Sequence, residues 1–361
     1  MTNDELLSRT ISWLRFPLIV GVVFFHGNIS TIRFQGVEYE FDNPDWYYAI
    51  INLFSGVLSS ISVPSFFFIS GFLFFYRVSF DRPTYHRKLK SRIRTLLIPY
   101  LIWNLVGFLL FSFKHLPVFA HILPGIHAYP YNWQTFFDSF WAISWDPKRT
   151  AISPINGPLW FIRDLMIVVI FTPVLHWLIR HARFVPVAVL GLCWYFSLWS
   201  GIPGLSVEAW FFFTLGAYFS INQVNVVTAL AKHRWIPWLY LVAAVADVMT
   251  KGEAYNVYIH RAGLLAGIAS CFILVSYGLQ SGRLHVSRFL SNSSFFIFAA
   301  HSLIIGYTNI GPFLLFRPTS PYVLILLYFL SPILTIALCL WAYHLLRRFL
   351  PKVGALVTGG R

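Results

Sequence analysis

Ten stretches of this sequence, at residues 11–29, 49–76, 93–113, 158–179, 184–200, 205–222, 235–250, 258–279, 289–311 and 321–346, are apolar over the length a helix needs to cross a membrane. A hydrocarbon layer about 30 Å thick takes roughly 20 residues at 1.5 Å each. No polar segment between them has the length of a separate water-soluble domain. The chain therefore reads as all-α, a polytopic transmembrane bundle of about ten spans forming one integral-membrane domain over residues 1–361. An external loop is expected at 114–157, and a shorter external segment from Ser30 to Tyr48. The fifth and seventh runs are short, and Pro64 and Gly71 mark the second as a span that tilts or breaks.

Composition agrees: 57% of the 361 residues are hydrophobic and 11% charged. A net charge of +14 suggests nucleic acid, but Lys and Arg are distributed between apolar runs instead of gathering on one surface, so no nucleic-acid partner is expected. Membrane topology explains them better. With the N-terminus cytoplasmic and ten crossings, the inner segments carry most of the basic residues, among them the run Arg87, Lys88, Lys90, Arg92 and Arg94. Both termini are then cytoplasmic. Cys193, Cys271 and Cys339 all lie in apolar runs, which offers no disulfide framework and no Cys-x-x-Cys metal site. No metal is expected. The first run lacks an Ala-x-Ala cleavage pattern and carries Arg15, so it reads as a retained span.

Arg15 and His26 are the residues that hydrocarbon should exclude from that first span. Eleven positions apart, they share one helix face and lie roughly 16 Å from each other along the axis. Ionisable groups at such depth normally face a protein interior or a hydrated cavity. Other spans add polar groups: Arg163 and Asp164 early in the fourth, Glu208 early in the sixth, His260 and Arg261 early in the eighth, and His301 midway through the ninth. Carboxylates that orient a histidine are what acid–base chemistry in a dry cavity requires, which makes His26, Asp164, Glu208 and His301 the catalytic candidates. Internal ion pairing, Arg163 with Asp164 or Glu208, is the structural alternative for the same charges. Arg92 and Arg94 begin the third span, where a phosphate-rich cofactor arriving from the cytoplasm meets positive charge. Trp133, Trp141 and Trp145 suggest that the 114–157 segment lies at the headgroup level, with rings able to stack on sugars.

Several motifs in order resemble the membrane acyltransferase-3 family, which includes bacterial O-acetyltransferases of envelope glycans. They are Arg15 followed by His26, VPSFFFISGFLFF (63–75), the basic run ending in IPYLIW (98–103), PLWFIRDL (158–165), WFFFTLGAY (210–218) and SNSSFFIFAAH ending at His301. The resemblance implies a ten-helix bundle in the bacterial inner membrane that uses cytoplasmic acyl-CoA, most often acetyl-CoA, to acylate a hydroxyl of an envelope polysaccharide or lipid-linked saccharide. It implies that His26 is the catalytic histidine and that Arg15, Arg92 and Arg94 contact the phosphates of CoA. Trp160, Arg163, His260 and Arg261 are then candidates for the acceptor side. Many members carry a histidine where this chain has Pro158, so that residue's role does not transfer. A transporter or flippase for a glycan or lipid-linked intermediate is the alternative reading of the same buried charges, with membrane lipid as a partner in either case.

Overall fold

A computed structural model describes residues 1–27, 31–34, 37–40, 43–114, 132–144, 150–316 and 318–360. Helix α1 (Asn3–His26) starts at Thr2, whose hydroxyl accepts from the Glu5 amide at 3.2 Å. Strands β1 (Thr31–Phe34) and β2 (Val37–Glu40) follow as an antiparallel hairpin with Thr31 opposite Glu40. Helix α2 spans Asp45–Phe75, with a π-helical stretch at Asn52–Leu58 and a 3-10 turn at Ser59–Ile61. Those irregular turns lie just before Pro64, which has no N–H to give back to the preceding turn. The span continues through the proline instead of breaking there.

Helix α3 (Arg82–Phe113) is capped by Asp81, which accepts from the Thr84 amide at 2.8 Å; that bonding holds the Asp81 carboxyl below the usual carboxylate range. A short helix α4 (Trp133–Trp141) precedes α5 (Trp160–Ile170) and α6 (Thr172–Ala182), which meet at a 62° bend beside Pro173. Then come α7 (Val185–Tyr195), α8 (Val207–Ile221), α9 (Val226–Leu230), α10 (Ile236–Met249), α11 (Asn256–Gln280), α12 (Arg288–Phe316), α13 (Pro321–Phe349) and α14 (Pro351–Thr358).

Among the described residues six helices, α1, α2, α3, α11, α12 and α13, are long and apolar enough to cross a membrane, and the bent α5–α6 pair makes up to seven. The remaining three apolar runs form α7, α8 and α10, each shorter than the roughly 20 residues a full crossing takes. The fifth run, expected to 200, ends as a helix at Tyr195, beyond which Ser197 has φ of 56°. The chain is a multi-pass membrane protein. Exposed Leu109, Val242, Leu326 and Ile333 give its outer surface the apolar character that lipid, and not water, tolerates.

Two packing arrangements organise the bundle. Where α2 crosses α8, a Cβ on Gly71 would lie 2.0 Å from the Phe213 carbonyl, and one on Gly216 2.0 Å from the Phe68 carbonyl. Absent side chains let the two backbones touch, as small residues do between membrane helices. Around this crossing the buried rings of Phe67, Phe72, Phe74, Phe212 and Phe213 form the core. The second arrangement is the packing of α1 against α12.

Candidate active site

The α1–α12 seam brings Arg15 and His26 of α1 beside Ser291, Ser294 and His301 of α12. Its α1 wall repeats at helical spacing from Arg15 through Ile19 and Val22 to His26, and its α12 wall runs Ser291, Ser294, Phe298 and His301. At the Arg15 end the walls separate around a cavity of about 150 Å³, lined by Arg15, Arg92, Ser70, Ser291, Ser294 and apolar side chains. Among the described residues neither Arg15 nor Arg92 has an acidic partner; Arg92 lies against the Phe74 ring, 6.0 Å from its centre. Two guanidiniums without carboxylates, facing one small cavity, are an unfilled anion environment.

Phe161 and Phe298, their ring centres 5.7 Å apart, line this cavity, and neither histidine does. The expected polar track therefore does not run as one cavity from Arg15 to His26. Beyond this cavity, the His26 and His301 rings lie 5.3 Å apart, and His301 is 6.4 Å from Phe298. His301 is fully buried, and its Nδ1 lies 3.1 Å from the Ile297 carbonyl. A carbonyl only accepts, so Nδ1 carries the proton and Nε2 presents a lone pair. Among the described residues that Nε2 has no hydrogen-bond partner. His26, by contrast, is exposed at the last turn of α1. An accessible imidazole beside a buried one with a vacant acceptor nitrogen can bind and move a proton.

The last turn of α1 is fixed from two sides. Ser55 donates to the Phe24 carbonyl at 2.7 Å and pairs with the Tyr328 hydroxyl at 2.7 Å. Gly27 abuts Pro332 of α13 so closely that a Cβ would lie 2.5 Å from its Cγ. The α12 side is held by residues that sequence reasoning missed. Asn156, buried ahead of α5, donates to the Ala299 carbonyl at 2.9 Å and accepts from the Ser302 hydroxyl at 2.7 Å, bracketing His301. Its backbone N–H donates to Asn104, which in turn donates to the Tyr100 carbonyl at 2.9 Å. These contacts join segments far apart in sequence, and no local pattern announces them.

The carboxylate candidates do not join the histidines. Asp164 takes the buried Arg163 at 2.9 Å and the Ser206 amide at 3.2 Å, and Arg163 also donates to the Trp141 carbonyl at 2.5 Å. That cluster ties α4, α5 and the entry to α8 together, which is the ion-pairing alternative for Arg163 and Asp164. Glu208, in the first turn of α8, lies within electrostatic reach of Arg261 and Asp164. Arg261 donates to the Tyr195 carbonyl at 2.6 Å and lies over the Trp194 ring, and His260 pairs with Asp247 at 2.6 Å. Both belong to α11's contacts with α7 and α10, away from the α1–α12 seam. Trp160 packs against Phe67 in the core, rings 6.1 Å apart. Arg94 opens into a different depression from Arg15 and Arg92. Trp133 and Trp141 flank Phe137 on an exposed stripe of α4, whereas Trp145 lies outside the described residues.

Comparison with known proteins fits this geometry. The acyltransferase domain of the acyltransferase-3 family matches residues 9–344. The chain belongs to that family. It is 29% identical over 380 residues to the succinoglycan biosynthesis protein ExoH of Rhizobium meliloti (strain 1021), covering 99% of this chain and 94% of that protein. No solved structure matches it. The chain is thus an acyltransferase, and the flippase reading of its buried charges is set aside.

Proposed function

We propose that this protein moves an acyl group, acetyl in the simplest case, from cytoplasmic acyl-CoA to a hydroxyl of a cell-envelope polysaccharide or its lipid-linked precursor. The observation that carries the reading is the arrangement of the α1–α12 seam, with two unpaired guanidiniums at one end and two adjacent imidazoles at the other. In this scheme the protein sits in the bacterial inner membrane with both termini cytoplasmic, so the arginines face the donor compartment. Arg15 and Arg92 attract the phosphates of CoA while the thioester arm enters the small cavity. Parting of Phe161 and Phe298 then admits the acyl end to the histidines. His26 removes the proton from the acceptor hydroxyl, the oxygen attacks the thioester carbon, the C–S bond breaks and the CoA thiolate takes up a proton. A small turn of the His26 ring, 5.3 Å from that of His301, would let it donate to His301 Nε2, and that bond would orient it during proton transfer. The relative's part in succinoglycan biosynthesis supports a glycan acceptor.

The test is CoA-thiol release by purified protein in nanodiscs supplied with acetyl-CoA and an oligosaccharide acceptor. Removal of a general base costs about 10²- to 10⁴-fold in rate. His26→Ala is expected to lose acceptor-dependent release by that much with its unfolding midpoint unchanged. Release at the wild-type rate from the variant would overturn the assignment.

A further inference from the structure

The last turn of α1 is clasped by α2 and α13, and the N-terminal ends of those two helices carry a group of side chains that proton transfer at His26 does not use. Phe24 of α1 packs edge-on against Tyr328 of α13, ring centres 6.1 Å apart, and Ser55 of α2 joins the same contact. From that level α13 runs six residues back to Tyr322 and α2 nine residues back to Trp46, roughly 9 and 14 Å at the helical rise. There the Trp46 and Tyr322 rings stack on each other, 5.3 Å between centres and 29° between planes. Both rings are exposed, Tyr322 at 72%. Stacking covers one face of each ring and leaves the other open.

The start of α2 adds polar groups next to these rings. Asn43 is buried, and among the described residues its Nδ2 has no hydrogen-bond partner. Asp45, in the first turn of α2, is exposed, and among the described residues its carboxylate has no cationic partner. An open ring face takes apolar C–H groups, the amide takes an oxygen lone pair, and the carboxylate takes hydroxyl protons. A sugar ring supplies all three, with C–H groups over its faces and hydroxyls around its rim. Hydrocarbon supplies only the first and would leave the buried amide unsatisfied.

We propose that Asn43, Asp45, Trp46 and Tyr322 form a subsite for one sugar ring of the acceptor glycan. The subsite rests on the orientation given above, in which His26 and these helix ends face the acceptor compartment. Because the stacked rings lie beyond the level of His26, the sugar they hold is a neighbour of the one whose hydroxyl is acylated. The four residues thus position the glycan and select which unit along it is esterified, while the chemistry stays at the histidines.

The experiment titrates de-esterified envelope oligosaccharides, prepared from cells lacking this protein, calorimetrically into the full chain in nanodiscs without acyl-CoA. Trp46→Ala and Tyr322→Ala should each weaken binding about two- to tenfold, and Trp46→Phe, which keeps a ring, should recover most of it. Asn43→Leu exchanges the amide for an apolar group of similar size; it should weaken binding without loss of thermal stability, since an unsatisfied buried donor has gone. Tyr255→Ala, which removes an exposed ring between α10 and α11, should leave binding unchanged. In transfer assays Trp46→Ala should raise KM for the glycan while kcat and KM for acyl-CoA hold. His26→Ala should bind the glycan as wild type does, so a failure of the catalytic assignment leaves the titration untouched. Ring variants that lose thermal stability yet bind the glycan normally would mark Trp46 and Tyr322 as lipid anchors and overturn the subsite. Wild-type protein that binds no oligosaccharide, or an equal loss in Tyr255→Ala, would overturn it as well.

Discussion

The α2–α8 crossing and the α1–α12 seam are both buried contacts between apolar helices, yet they are built in opposite ways. At the first, Gly71 and Gly216 bring backbone against backbone and phenylalanine rings fill the remaining space. At the second, the helices leave a cavity of about 150 Å³, strand Arg15 and Arg92 without acidic partners, and bury His301 with a vacant Nε2. The first maximises contact, and the second gives up contact and polar satisfaction together. Polar groups left without partners in one place, against a close-packed frame elsewhere, are the arrangement expected of a site that must bind something.

Substitutions should separate the two regions. The largest effect is expected for Gly216→Val, whose side chain meets a carbonyl of α2; overpacking of that severity costs about 3 kcal/mol or more, and folded protein after detergent extraction should largely disappear. If Gly216→Val folds with normal stability, the crossing is not the frame. A smaller and opposite pattern is expected for Arg92→Gln. Losing a charge-assisted contact of about 1.5 kcal/mol or more should raise KM for acyl-CoA roughly tenfold, while thermal unfolding stays the same or shifts upward, since an unpaired buried cation has been removed. A fall in stability with unchanged KM would place Arg92 in the frame. The smallest effect on catalysis is expected for Asp247→Asn. It breaks the pair with His260 and should cost stability of about 1–3 kcal/mol in an unfolding assay, yet leave transfer within about twofold of wild type.

The frame was the more legible of the two regions. Every one of the ten apolar runs in the sequence contains a helix, because burying backbone in hydrocarbon demands one. Of the tilt or break expected at Pro64 and Gly71 in the second span, no break occurs: the helix runs on through irregular turns upstream of Pro64, and Gly71 serves close packing. The site was legible only in part. Arg15 and His26 share a face by helical periodicity alone, and charge in hydrocarbon is conspicuous in any sequence. Which histidine lies beside which carboxylate depends on helix packing, so Asp164 and Glu208 were grouped with His26 whereas Asp164 instead binds Arg163 and the Ser206 amide. Asn104 and Asn156 were passed over because an isolated asparagine carries no signal until its partners, 52 and 143 residues away, are brought to it.

The histidine pair is tested most directly by mass spectra of the envelope glycan from cells lacking this protein and complemented with either wild type or His26→Ala at equal membrane abundance. Wild type should restore an acyl ester on the glycan, and His26→Ala should leave the glycan unesterified. An ester restored in full by His26→Ala would contradict a catalytic role for the α1–α12 seam.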